Sequence, residues 1–297
     1  MSAPAAPDLF RSERIRRRRA VNLFVELLAA GAALLAVAVL AIVVGSVAKR
    51  GAGALNWDFF TKTPDFAAVP GQPTGAANAI VGTGVIVGLA VLMALPVGIL
   101  TAIYLNELAP RRVANILTLA LDVLNGIPAI VLGIFVFVLF VNGHGQAAWK
   151  ASFALAVLML PLVARATQEV LALVPDSFRE ASLALGAAKW RTTLSVVLPQ
   201  TVGGIVTGAT LATARIAGET APLLFTSSLA GNAVSHDPSQ PLSSLPLFIF
   251  TSAEQADPKL HEQAWAAALV LIGFVLLASL IARAFAARSR RRLTGEL

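Results

Sequence analysis

No cysteine occurs in the 297 residues, so disulfide frameworks, thiolate metal sites and cysteine nucleophiles are excluded. Charged residues make up only 13%, about half the share of a soluble domain. Three histidines are present, His144, His236 and His261. Each falls in a loop by hydropathy and none has a second His at ligand spacing, so they read as solvated loop residues and not as a metal centre. The phosphate-loop pattern G-x-x-x-x-G-K-[ST] is missing as well. Its nearest approach, Gly186-Ala187-Ala188-Lys189, lacks the first glycine spacing and the terminal hydroxyl residue, which argues against ATP hydrolysis by this chain. Paired aspartates, H-E-x-x-H and G-x-S-x-G are absent too, so an intramembrane protease or phosphatase has no basis. No polar stretch approaches the roughly one hundred residues of a soluble domain.

Apolar side chains are present in excess: 57% of the chain is hydrophobic and the mean hydropathy is +0.78. Apolar runs long enough to cross a 30 Å hydrocarbon slab recur at about 21–48 (or 27–48), 78–105, 113–141, 150–174, 194–219 and 264–287. Unbroken runs of this kind exclude alternating barrel strands. The expectation is an all-α, polytopic membrane protein with six transmembrane helices. A basic tail (1–20) precedes a membrane domain (21–287), and a second basic tail (288–297) follows it. Arg11, Arg14, Arg16 to Arg19, Arg288 and Arg290 to Arg292 sit in or beside those tails. They read as topology signals and not as a nucleic-acid surface. With six spans they share one side with Arg111, Arg112, Arg179, Lys189 and Arg191, while the other side holds Lys49, Arg50, Lys62, Lys150 and Lys259 beside acids such as Asp58, Asp65, Asp237 and Glu254. Both termini are therefore expected in the cytoplasm. The first run is too long for a cleaved signal peptide and reads as a retained anchor.

Two outer loops, 49–77 and 220–263, are rich in Pro, Gly and Ser. They suit either an extracytoplasmic partner or a structural cap. The inner loop 175–193 is more informative. Asp176 or Ser177 can cap a short helix there, Phe178, Leu183 and Leu185 supply apolar contacts, and Gly186 permits a bend where that helix ends. Spacing alone leaves a surface-lying helix and a docking helix equally open.

Charge inside the spans is the second signal. Arg165 precedes Glu169 in span four, and Arg215 precedes Glu219 in span five. A separation of four places each pair on one helix face. A mid-membrane Arg costs about 2.5–3.5 kcal/mol on insertion scales, so a partner charge or a wet path must offset it. Either pair can be an internal ion bridge. Arg215 and Glu219 also suit an oxyanion path: Arg offers a permanent planar fork, and a carboxylate can accept a hydrogen bond from hydrogen phosphate but repels sulfate. Gly204, Gly208 and Ala212 recur on the face that carries Arg215, which is expected to face protein or a pore. Pro96 and Pro128 are expected to kink spans two and three. Asp122 and Asn125 can line a path or make a helix contact.

The segment Glu180-Ala181-Ser182, then Gly186, Val196, Leu198 and Pro199 resembles the EAA loop of ABC importer permeases, with Ser for the second Ala and Val for the common Ile. The run Arg215-Ile-Ala-Gly-Glu219-Thr-Ala-Pro222-Leu-Leu224 resembles the fifth-span signature of the phosphate-specific members, the PstA type. Asp122-Val-Leu-Asn125-Gly126-Ile-Pro128-Ala-Ile-Val-Leu-Gly133 and Ser244-Leu-Pro246 followed by Phe248-Ile-Phe250 resemble two further segments of that type, and the likeness spans roughly residues 20–290. It implies a type I importer bundle in a bacterial inner membrane. It also implies a second permease subunit (PstC-type), an ATPase dimer (PstB-type) that carries ATP and Mg, and an extracytoplasmic phosphate-binding protein (PstS-type). No cofactor is implied for this chain. Glu180, Ala181 and Gly186 are implied in ATPase coupling, and Arg215, less directly Glu219, in phosphate passage, with Arg165 and Glu169 as further candidates. A permease for another oxyanion, or a secondary transporter working alone, are the competing expectations; the second leaves the docking-loop pattern unexplained.

Overall fold

The computed structural model describes residues 9–64, 75–228 and 233–294. Asp65 and the outer-loop stretches 65–74 and 229–232 lie outside them, as do the side chains of Arg11, Arg14, Arg288 and Arg290 to Arg292. The described residues are helical, with no strand among them. In chain order the helices are α1 (Leu9–Gly51), α2 (Trp57–Thr61), α3 (Ala77–Ile103), α4 (Arg111–Gly126), α5 (Ala129–Val136) and α6 (Ala148–Ala172). Then come α7 (Asp176–Ala184), α8 (Lys189–Thr192), α9 (Leu198–Ala217), α10 (Ala221–Thr226), α11 (Leu245–Ala253) and α12 (Pro258–Thr294). Residues 1–49 form one compact unit and residues 50–297 another. Along α1 the apolar side chains, Leu34, Leu35 and Ile42 among them, are exposed.

Five helices are long and apolar enough to cross a membrane, and the pair α4 with residues 129–141 makes a sixth if the two count as one span. The kink expected at Pro128 in the third span (113–141) is present and sharper than a kinked helix, a bend of 97° between Gly126 and Ala129 that breaks the span in two. Pro128 supplies the physical reason. It has no N–H to continue the ladder, and it forces Ile127 into extended backbone (φ −71°, ψ 127°). Pro96, by contrast, lies inside an α3 that continues without a break.

The bundle of residues 50–297 is organised around α3 and α6. On α6 the buried positions Ala151, Leu155, Met159 and Val163 recur every fourth residue, and on α3 so do Ile86, Ala90 and Ala94. Rows spaced by four mesh closely when their residues are small. At Gly98 an added Cβ would lie 2.9 Å from Val163 Cγ1. α9 joins α6 in the same way nearer its C-terminal end, for a Cβ at Gly204 or Gly208 would fall 2.5 Å from Val170 or Ala166. The small-residue face of span five thus packs on protein, as its four-residue spacing suggested.

The outer loops are partly folded. Asn56 caps α2 by accepting from Phe59 N–H at 2.8 Å, and Phe59 packs with Leu245 and Phe248 of α11 and Ala266 of α12. Burying an aromatic of this size contributes about 1.5–3 kcal/mol. π turns close α3 at Tyr104–Leu108 and α5 at Phe137–Val141, and a third, at Thr193–Val197, leads into α9. Ala109 N–H, for example, reaches back five residues to Tyr104 O at 2.8 Å.

Candidate functional site

The two segments that break their helices meet. α9 ends at Ala217, where Gly218 N–H turns back to Arg215 O at 3.2 Å and Glu219 N–H to Ile216 O at 3.1 Å. Glu219 therefore stands in the gap before α10 and not one turn along a shared helix face, which corrects the reading of Arg215 and Glu219 as a pair on one span. Gly218 and Pro222 flank the gap, so the helix cannot run on with its usual bonds. On the other side, α5 lies against α10 so closely that a Cβ on Gly133 would come 2.8 Å from Pro222 Cα. The third-span and fifth-span motifs are thus one packing unit.

Between them is a small cavity of about 40 Å³ lined by Leu124, Asn125, Ile127, Ala129, Leu158, Leu162, Arg215, Ile216 and Glu219. Leu158 and Leu162 of α6 give it an apolar wall. Ile127 and Glu219 are half-buried against this cavity, whereas Asn125, Gly126, Arg215 and Gly218 are exposed on this chain. Arg215 and Glu219 take part in none of the ion pairs among the described residues. Arg215 sits in the last turn of α9, where the helix dipole favours a cation. Ala129, the first residue of α5, also lines the cavity, so the positive end of that short helix faces it. The arrangement offers an anion one permanent cation, one helix N-terminus and one carboxylate acceptor.

Arg165 and Glu169 do not pair. Arg165 Nη2 contacts Asp122 on α4 and also reaches Thr118 O at 3.5 Å, while Nη1 lies 3.4 Å from Gln168 Oε1. Asp122 therefore makes a helix contact and Arg165 is held by α4. Glu169 is exposed and lines a separate groove with Arg283 and the glycines Gly203, Gly204 and Gly208.

The inner loop presents a second surface. Pro175, not Asp176 or Ser177, precedes α7, and no side chain caps that helix. The proline occupies the capping position, so Asp176 becomes the first helical residue and bonds Arg179 instead, at 3.2 Å. Glu180, Ala181 and Gly186 are exposed, with Phe178, Trp190 and Leu185, which is 89% exposed. Gly186 adopts φ +83°, a left-handed conformation that glycine takes at no steric cost.

Behind this surface lies a contact that the sequence reading did not find. Arg179 donates to both carboxylate oxygens of Glu107, at 2.8 Å from Nη2 and 3.1 Å from Nε. The hydrogen bonds that Arg179 donates to Glu107 hold the guanidinium pKa above its ordinary value, against a smaller lowering by burial. A carboxylate two residues past the apolar run that ends at Leu105, in Tyr104-Leu105-Asn106-Glu107-Leu108, was the available signal.

The family model described as "Binding-protein-dependent transport system inner membrane component" matches residues 94–291. The chain is 37% identical to the phosphate transport system permease protein PstA of Haemophilus influenzae over 238 residues, covering 80% of this chain and 83% of that one. It is 42% identical to PstA 1 of Mycobacterium tuberculosis, covering 74% and 72% of the two chains, and 38% identical to PstA of Xylella fastidiosa, covering 93% and 96%. The fold is also that of solved importers. An inward-facing MetNI methionine ABC transporter aligns with a TM-score of 0.55 at 20% identity, over 71% of this chain and 93% of that one. A bacterial alginate ABC transporter, in complex with its alginate pentasaccharide-bound periplasmic protein, aligns at 0.59 and 16% identity, over 93% and 96%. The chain belongs to the binding-protein-dependent inner membrane transport components and, among these, to the PstA-type permeases.

Proposed function

We infer that this chain is the membrane permease subunit of an ATP-driven phosphate importer. Support comes from the PstA relatives together with one observation, the convergence of Arg215, Glu219 and the two broken spans on one cavity. Hydrogen phosphate offers three oxygens to Arg215 and the α5 amides and one proton to Glu219. The chain holds only part of the path, and a second permease of related architecture closes it.

The motor is a separate ATPase dimer, with ATP and Mg on that subunit. It docks on Glu180, Ala181 and the exposed apolar side chains around Gly186. An extracytoplasmic binding protein delivers phosphate to the outer loops that α2, α10 and α11 shape. Both termini and the inner loop face the cytoplasm, where the Arg and Lys excess lies. The chain itself breaks no covalent bond.

The test is ATPase activity of the complex purified with its sister permease and ATPase. Stimulation by phosphate-loaded binding protein, absent with sulfate, is the expected result. Stimulation indifferent to the anion would point to a permease for another oxyanion, and uptake by the purified chain alone would point to a secondary transporter.

A further inference from the structure

Arg179 and Glu107 form a contact to which phosphate passage and motor docking assign no task. Glu107 stands in the π turn that ends α3, and its side chain is 7% exposed against 18% for Arg179. The same guanidinium also donates to Val174 O at 2.7 Å, in the linker that follows α6, and to Leu171 O at 3.1 Å in the last turn of α6, a carbonyl that also accepts from Val174 N–H at 3.3 Å. One side chain therefore fastens α7 to the ends of both α3 and α6. The far end of α7 is held separately, by Ser182 Oγ against Thr192 Oγ1 at 2.9 Å and by the reversal at Gly186. The next residue, Glu180, is exposed. Successive helical side chains diverge by about 100°, so α7 turns Arg179 toward the spans and Glu180 away from them.

We propose that Arg179 and Glu107 are positioning residues that convert displacement of α7 into displacement of α3 and α6. The proposal rests on the reading of the chain as an ATP-driven importer. A nine-residue helix joined to α6 only through residues 173–175 would pivot there when pushed. The guanidinium bridges that linker and removes the pivot. α3 and α6 share their closely meshed seam and so move together, and α6 carries Leu158 and Leu162, the wall of the phosphate cavity. A lysine could not hold both carboxylate oxygens and two carbonyls at once, since it offers a point charge and not a fork.

The experiment uses the full complex in proteoliposomes, with Glu107→Gln and Arg179→Lys beside the wild type. Three quantities are measured: subunit stoichiometry, ATP hydrolysis, and phosphate moved per ATP. Both variants are expected to assemble and hydrolyse ATP while phosphate per ATP falls about tenfold, within the range of coupling between distant sites. That ratio does not change when a variant merely yields less folded protein. A wild-type ratio in both variants overturns the proposal. So does loss of assembly in both, which would make the pair a folding tie only. A wild-type complex whose hydrolysis ignores phosphate sinks the importer reading itself, and it is scored before any variant is compared.

Discussion

Arg215 is an exposed cation in an apolar span, with no carboxylate bonded to it among the described residues, and within a membrane such a charge persists only if its surroundings are wet or regularly hold an anion. Arg215→Gln removes the charge and keeps much of the shape. Phosphate uptake should fall by about two orders of magnitude, as when a preorganised charge contact is deleted, while the ATPase stays bound; unchanged uptake would remove Arg215 from the path. Glu219→Gln tests a different property, since an amide no longer repels sulfate. The phosphate-over-sulfate preference of uptake should narrow, and an unaltered preference would refute the carboxylate's selective role. Asp122→Asn acts on stability instead. It deprives Arg165 of its charged partner between α4 and α6, at a cost of about 1–2 kcal/mol for an interhelical polar contact in a membrane. A lower thermal midpoint in detergent, with selectivity retained, is the expected reading.

Glycines decide how closely the elements meet. Gly133→Val places a branched side chain against the backbone of Pro222, so α5 and α10 must separate or strain. Overpacking of this kind costs about 1–3 kcal/mol, and because Glu219 precedes α10 the anion selectivity should shift together with stability. Gly204→Val should destabilise the α6–α9 contact by a similar amount and leave selectivity intact. If both variants behaved alike in transport, the distinction between wall and seam would be wrong. The six apolar runs and the four-residue glycine spacing were legible because periodicity and hydropathy are local properties. The break of the third span was only half legible: Pro128 announced a kink, but a bend near a right angle depends on α10 lying where Gly133 lets it approach. Pairing at a separation of four failed for both Arg residues. The rule presumes an unbroken helix, which ended before Glu219, and it ignores a carboxylate on a neighbouring helix, which captured Arg165. Arg179 escaped because counting cations for topology treats them as solvated, whereas burial of this one is a tertiary fact.

At the scale of the molecule, the cavity beside Arg215 and the inner loop at α7 lie on different elements, and α6 touches both. Its middle carries Leu158 and Leu162, and its last turn carries Leu171 O, one of the two carbonyls that accept from Arg179. Glu180→Arg should therefore abolish stimulation of ATP hydrolysis by loaded binding protein without altering the cavity. Persistence of full stimulation would show that α7 is not the docking helix. The π turn at Thr193–Val197 adds a further consequence. Such a turn takes up one residue more than an α turn within a single revolution, so the extra residue is absorbed as a local bulge and the angular phase between the inner loop and α9 is kept. Removing one residue from that turn should restore regular helix with the loop still aimed as before, whereas removing one from the regular part of α9 would rotate everything before it by about 100°. The π turn is thus the place in this segment where a change in chain length leaves the exposed loop surface in register.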